Sequence, residues 1–397
     1  MSEERGFPFW QIYLSYFPRY FPIEIDAAAT FMIQVYINGK FFDQPTTGVQ
    51  RFALEVVSAL DALLIQTSSG EFGTFQLIVP SGVKHKIPPL KHIQVVELTG
   101  FRSHLWEQLL LPIFVRNAFL INLSGSGPVF KRRQMFAIHD AAIFDFPQAY
   151  TRMFRVWYKF QFWLQARRAQ ALLTVSEFSR DRLCKHLGIE TGRFCVVSNG
   201  VNHIHRIESD DGILSELGLK SSQYLLAVGS SNPSKNFATL IEAFSAMKNI
   251  DAIRLVVVGG SNPAVFAEQV VSCDPRILRT GRVSDSQLKA LYTNARAFVF
   301  PSFYEGFGIP PLEAMACGCP VIASDAASIP EICGDAVGYF DPYSILSIQT
   351  SLERIIIDGD WRARLRAAGN RKAKEYTWAA AAEQLLLQLS KVESNKK

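Results

Sequence analysis

The chain has 397 residues, 48% hydrophobic and 19% charged, enough to bury the cores of about two domains, and its net charge of +5 comes without the dense basic stripe of a nucleic-acid binder. Six cysteines with no C-x-x-C pair and no His-rich partner argue against a zinc site or a disulfide framework and fit a reducing cytoplasm. No apolar run reaches the roughly 18 residues of a membrane span, and the start MSEERGFPFW carries acid where a secretory leader carries base, so the expectation is a soluble globular protein, neither secreted nor integral.

Residues 1–31 interleave Phe7, Phe9, Trp10, Tyr13, Tyr16, Phe17, Tyr20 and Phe21 with Pro8, Pro18 and Pro22, which break any long helix. The segment reads as an accessory aromatic extension that packs on the body, touches lipid, or is an upstream start ahead of Met32. From there short β-rich runs (MIQVYI, FQLIVP, IQVVEL, FLINL, QMFAIH, ALLTV, FCVVS) alternate with helices predicted over 49–65, 104–117, 151–170 and 176–187, the pattern of a parallel sheet covered on both faces. A polar segment at 203–222 precedes a second series: YLLAV, IRLVVVG, AFVFP and PVIAS. The last stretch, 360–397, is helical and Ala/Leu-rich. Two such units leave a cleft outside the carboxyl ends of their strands, where ligands of open parallel sheets bind.

Thr46-Thr47-Gly48-Val49 follows the first strand and starts a helix, a geometry in which backbone amides meet an anion. In the helix predicted over 151–170, Met153, Trp157, Phe160 and Leu164 fall at helical spacing and should face the core, while Arg152, Arg155, Lys159, Arg167 and Arg168 form a basic face mixed with aromatics. His139 ends the strand QMFAIH and precedes Asp140; by itself a histidine more often serves structure. Near the end, FVFPSFYEGFGIPPLEAMACGCPVIAS reads as a strand, a loop and a helix from 310 to 317 stopped by Gly318. Glu305 then lies in the cleft loop. Gly306 and Gly308 let the backbone approach a ligand, and the amides of Phe307, Gly308 and Ile309 lead into a positive helix end. Glu313 is expected in the first helical turn, where a carboxylate also simply complements the dipole. Cys317 and Cys319, flanking a glycine, read as core filler.

These residues closely resemble the retaining GT-B glycosyltransferases of family 4 (group 1), including bacterial mannosyl- and rhamnosyltransferases of lipopolysaccharide and other polysaccharide biosynthesis. The E-x₇-E pair Glu305/Glu313 carries the resemblance together with TTGVQRF, HLWEQLLLP, AIHDAAIFDFP, LLTVSEFSRDRL, VVSNGV, AVGSSNPSKN and VSDSQLKALYTNARAFVFPSFYEGFG, in order from about Met32 to Tyr376. It implies an α/β GT-B fold, two facing Rossmann-like domains about a cleft: an N-terminal extension (1–31), an acceptor-side domain (32–205), a nucleotide-sugar domain (206–376) and a C-terminal helix (377–397) crossing back to the N-domain. It implies that Glu305 faces the donor sugar, Glu313 holds the ribose hydroxyls, Lys235 meets the diphosphate, His139 contacts the sugar near the reacting carbon, and Thr47, Gly48 and the backbone of Gly306, Phe307, Gly308 and Ile309 line the substrate site. Ser234 departs from the family's usual arginine before the lysine, leaving Lys235 alone with the phosphates or Arg282 as a substitute; Arg51 on the first helix is a lesser candidate.

The expected activity is retaining hexosyl transfer, mannose from GDP-mannose first, to a glycan or polyprenyl-linked acceptor in cell-surface polysaccharide synthesis. With no D-x-D motif at a strand end, the sequence requires no metal and no cofactor beyond the donor. Rhamnosyl or glucosyl transfer from dTDP-rhamnose or a UDP-sugar, a sugar-nucleotide epimerase and a non-catalytic scaffold are the alternatives. Cytoplasmic location with peripheral contact at the inner face of the membrane completes the expectation.

Overall fold

The computed structural model describes residues 34–65, 73–230, 232–248, 252–260 and 274–394; the aromatic extension read from the sequence lies outside them. In the first lobe β1 (Gln34–Asn38), β2 (Thr74–Pro80), β3 (Gln94–Leu98), β4 (Phe119–Asn122), β5 (Gln134–Ala137), β6 (Ala171–Thr174) and β7 (Phe194–Val196) pair in parallel, in the order β3-β2-β1-β4-β5-β6-β7. Val35 of β1 lies between Phe75 and Phe119, and the central strands are buried on both faces, which is why they read as unbroken apolar runs.

The second lobe repeats the plan with β8 (Tyr224–Val228), β9 (Arg254–Val258), β10 (Ile277–Gly281), β11 (Ala297–Phe300), β12 (Val321–Ser324) and β13 (Gly338–Phe340), in the order β10-β9-β8-β11-β12-β13. The strand order reverses between β1 and β4 in one lobe and between β8 and β11 in the other; each reversal opens a crevice at the carboxyl ends of its strands. Both edge strands of the second sheet escaped the sequence reading. β10 is half-exposed and carries Arg279, and β13 is three residues long, so neither shows the buried apolar run of a central strand.

The helix Gly48–Leu63 buries Phe52, Ala53, Val56, Val57 and Leu60, and the C-terminal helix Trp378–Ser394 returns to pack along it through Trp378, Ala381, Ala382, Leu385 and Leu389. Its first ring, Trp378, lies 6.2 Å from Phe52. The lobes also clasp across the cleft. Ser176 Oγ and Ser179 Oγ donate to the Gly306 carbonyl at 2.6 and 2.9 Å, and the Glu331 carboxylate accepts from the amides of Glu177 and Phe178, both at 2.8 Å, capping the helix Glu177–Leu187 from the opposite lobe. Arg51 pairs with Asp285.

Two helices differ from expectation. The stretch predicted over 104–117 is Ser103–Leu105, a π turn at Trp106–Leu110, and Leu111–Val115. The helix Arg152–Arg168 is turned relative to the prediction: Gln161, Phe162, Gln165 and Ala166 are buried, Trp157 and Leu164 only half-buried, and Met153 and Phe160 exposed. Gln161 and Gln165 donate to the carbonyls of Gly127 and Pro128 at 3.1 and 2.9 Å, satisfying loop oxygens that an apolar face would leave unpaired. Met153 is 83% exposed in consequence, and Phe160 and Trp163 are exposed beside it.

Candidate functional site

Lys235 reaches the cleft from the loop after β8, where Asn232 accepts from the Ser234 amide at 2.9 Å and starts the short turn Pro233–Lys235. The next residue, Asn236, adopts φ +56° and donates its side-chain amide to the carbonyls of Pro301 and Pro342 at 3.0 and 2.8 Å. The Phe303 amide donates to the Ser234 carbonyl at 2.8 Å, tying this loop to the one that leaves β11. Across the crevice so closed, Lys235 Nζ donates to Glu305 Oε1 at 2.6 Å, with the two side chains 23% and 11% exposed. The resemblance assigns Glu305 to the donor sugar and Lys235 to the diphosphate; here each is the other's partner. Ser234, the departure from the family pattern, is buried in the turn.

After Glu305 the chain passes Gly306, whose hydrogen stands where a Cβ would meet Asp140 Cβ at 2.6 Å, so only glycine permits this approach of the lobes. Gly308 at φ +100° then swings the backbone into the helix Ile309–Ala316, while Ser328 Oγ donates to the carbonyls of Glu305 and Phe307 at 2.9 and 3.1 Å. The start of this helix meets the start of Gly48–Leu63: a Cβ on Gly48 would lie 3.7 Å from Ile309 Cδ1. Thr47, the N-cap of that first helix, donates its amide to Gln50 Oε1 at 3.2 Å.

Glu313 lies beyond the first turn of its helix, which corrects the sequence reading and removes the simple dipole explanation. Its carboxylate accepts from His203 Nε2 at 3.1 Å and Tyr292 Oη at 3.3 Å. His203 is buried, and its Nδ1 accepts from Trp378 Nε1 at 3.1 Å, which places the imidazole proton on Nε2, toward Glu313. A line of contacts thus runs from the returning C-terminal helix to Glu313. His203 and Tyr292 were missed: one stood at the head of an apparently polar linker and the other inside a helix, and nothing local marks either as a neighbour of Glu313.

In the first lobe His139 Nε2 donates to the Leu123 carbonyl at 2.8 Å, and its ring meets Phe52 edge-on at 4.9 Å. Burial lowers its pKa from 6.5 to about 4, against the opposing pull of the Leu123 carbonyl, so the imidazole is neutral with Nδ1 as its remaining polar atom. Asp140 accepts from the Ala142 amide at 2.8 Å; burial raises its pKa against that bond, and the facing charge of Glu305 raises it further. The structure therefore gathers His139, Asp140, Lys235, Glu305 and Gly306 from both lobes. It sends Arg51 to Asp285 and lays Arg282 against Gly260. The described cysteines are free, and burial pushes the Cys317 thiol up to about 12, as suits core filler. Among the described residues no group of three or more His, Cys, Asp or Glu is arranged to hold a metal ion. The Lys235 ammonium and a helix start such as that of Ile309–Ala316 each suit a diphosphate, and carboxylates with a neutral imidazole suit sugar hydroxyls.

Residues 213–372 match the family model described as glycosyl transferases group 1, and residues 116–204 match that of glycosyltransferase family 4. The chain is 30% identical over 257 residues to the O-antigen chain mannosyltransferase B of Escherichia coli, covering 62% of this chain and 67% of that one. It is 27% identical over 335 residues to the O-antigen chain mannosyltransferase RfbU of Salmonella typhimurium, covering 80% and 90%. Among solved structures, Anabaena HepE in complex with UDP-glucose superposes with a TM-score of 0.68 at 15% identity over 90% of this chain and 100% of that one. WaaG, a glycosyltransferase of lipopolysaccharide biosynthesis, does so at 0.64, with 16% identity over 89% and 98%.

Proposed function

The chain belongs to the group 1 glycosyltransferases and is a GT-B hexosyltransferase, and from that premise we propose that it transfers mannose from GDP-mannose, with retention and without a metal ion, to a glycan or lipid-linked glycan. The observation that carries the site is the Lys235–Glu305 pair at the reversal point of the second sheet, facing His139 and Asp140 across the cleft. In this reading Lys235 and the start of Ile309–Ala316 hold the diphosphate, Glu313 the ribose hydroxyls, and Glu305 and His139 Nδ1 the hexose. Thr47 and Gly48 close the phosphate side. The anomeric carbon loses its bond to phosphate oxygen and gains one to the acceptor oxygen on the same face, through an oxocarbenium-like state; the acceptor proton passes to the departing phosphate. Lys235 offsets the charge that develops on the leaving group.

Mannose is placed first because relatives of the chain are O-antigen mannosyltransferases by name; rhamnose and glucose follow. The test offers GDP-mannose, dTDP-rhamnose and UDP-glucose to the purified protein in EDTA, with proton NMR of the new linkage. Turnover only after Mn²⁺ or Mg²⁺ is restored, or an inverted product, overturns the mechanism; turnover of another donor alone overturns the choice of sugar.

Among the described residues no helix is long and apolar enough to cross a membrane. Peripheral contact is supported by exposed Met153, Val156, Phe160 and Trp163 alongside Arg152 and Arg167, a mixture that suits a headgroup boundary. Sedimentation with anionic vesicles at low and moderate salt tests it; protein that stays in the supernatant throughout counts against it.

A further inference from the structure

The first lobe has a crevice of its own at the β1/β4 reversal, and a buried polar cluster fills it. Asn38 ends β1 and Asn122 ends β4; Asn38 Nδ2 donates to Asn122 Oδ1 and to Glu107 Oε1, both at 3.0 Å. Ser126 Oγ donates to Glu107 Oε1 at 2.7 Å, and Lys40 Nζ donates to Glu107 Oε2 at 2.8 Å. The Lys40 and Glu107 side chains are 5% and 0% exposed. A pair so buried gains little over apolar packing, because desolvation cancels most of its attraction. Its place at a strand-order reversal therefore points to a use beyond stability.

Exposed His104 stands at the solvent edge of this cluster, its Nδ1 3.4 Å from Lys40 Nζ. Lys40 holds no proton acceptor's role, so the imidazole takes the bond at Nδ1 and carries its proton on Nε2, which makes no hydrogen bond among the described residues. The segment is specially shaped: Ser103 has φ +56°, strained for a residue with a side chain, and the π turn at Trp106–Leu110 follows. Trp157 meets the His104 ring at 6.2 Å and 70°. The cluster also touches the site described above, since Leu123, next to Asn122, supplies the carbonyl that holds His139.

We propose that His104 and Trp157 form an acceptor subsite, in which His104 Nε2–H donates to a hydroxyl of a neutral glycan and Trp157 covers an apolar face of the same sugar. The chemistry selects this ligand. Lys40's charge is already matched by Glu107, so the crevice offers a neutral donor and an aromatic face, which suit a polyol better than a phosphate. The proposal rests on the glycosyltransferase reading and names the second substrate's place in it.

The experiment uses the full chain saturated with GDP or UDP, whichever binds by calorimetry. Methyl α-mannoside, methyl α-rhamnoside and methyl β-N-acetylglucosaminide are probed by saturation-transfer NMR and then as acceptors. At least one should receive saturation. His104→Ala should raise its apparent Kd and its KM about tenfold, the loss of one hydrogen bond, with nucleotide affinity unchanged. His104→Gln, which restores an N–H donor, should recover most of the loss, and Trp157→Phe should retain part of the binding. Saturation of no hexoside in the nucleotide-bound wild type, or undiminished binding in His104→Ala, overturns the subsite. Absence of nucleotide binding in the wild type overturns the donor reading and this proposal with it.

Discussion

Each lobe places a Lys–Glu pair at the point where its strand order reverses, and the two pairs differ mainly in access to water. Lys235–Glu305 is 2.6 Å long and partly exposed; Lys40–Glu107 is 2.8 Å long and sealed, with Asn38 and Ser126 donating to the same carboxylate. The partly exposed pair costs little to open, so its ammonium and carboxylate can turn to a diphosphate and a sugar. The sealed pair cannot open without stranding a charge, and so fixes the groups around it. Similar pairs near the two reversals thus differ in what they can do because burial differs.

The largest expected effect comes from breaking the sealed pair. Lys40→Met leaves Glu107 buried without its cation and should cost about 3–5 kcal/mol of stability by urea titration, whereas Lys235→Met, at a pair that water partly reaches, should cost clearly less. Equal losses would remove the distinction.

Activity should respond in the opposite sense. Glu305→Gln and Lys235→Ala are expected to fold normally by circular dichroism and to lose transfer by a factor on the order of 10²–10³, the scale of one removed charge-stabilising group. A fully active Glu305→Gln would refute the placement of the donor sugar. A smaller effect belongs to the line that ends on Glu313. Removing that carboxylate with Glu313→Ala should weaken nucleotide binding about ten- to a hundredfold with less change in kcat. His203→Leu, which removes one donor from it, should weaken binding by about tenfold or less. Calorimetry with GDP and UDP checks both; a His203→Leu effect confined to kcat would detach His203 from the ribose site.

The two pairs were not equally legible. Lys235 and Glu305 stand in loops whose neighbours are punctuated by glycine, proline and asparagine, so turn chemistry and the family likeness both mark them. Lys40, just after β1, and Glu107, in the turn Trp106–Leu110 ahead of β4, are 67 residues apart and meet through long-range packing that no local pattern encodes. His203, 110 residues before Glu313, was hidden for the same reason. The inner strands were read from their apolar runs, while the edge strands β10 and β13 lack that signal. The helix Arg152–Arg168 misled because periodicity cannot show that loop carbonyls at Gly127 and Pro128 need glutamine donors more than the core needs methionine.

The smallest predicted effect separates the residue between the pairs from both of them. His139 is neutral in the folded chain, with its pKa lowered to about 4 from 6.5 by burial. Well above pH 7 neither the folded nor the unfolded chain protonates it. As the pH falls through 6.5 the unfolded chain takes up a proton that the folded chain refuses until about 4, so this histidine lowers stability progressively across that window. Asp140, whose pKa is raised, works the other way: its stabilising contribution is present at acid pH and fades as the pH rises through its folded value. His139→Gln should therefore flatten the decline of the urea midpoint between pH 6.5 and 4 relative to wild type, and leave the two proteins parallel above about pH 8. The neutral ring also means that kcat/KM should show no limb near 6.5 arising from His139. Parallel stability curves through the acid window would place the imidazole in water and dissolve its role beside Glu305.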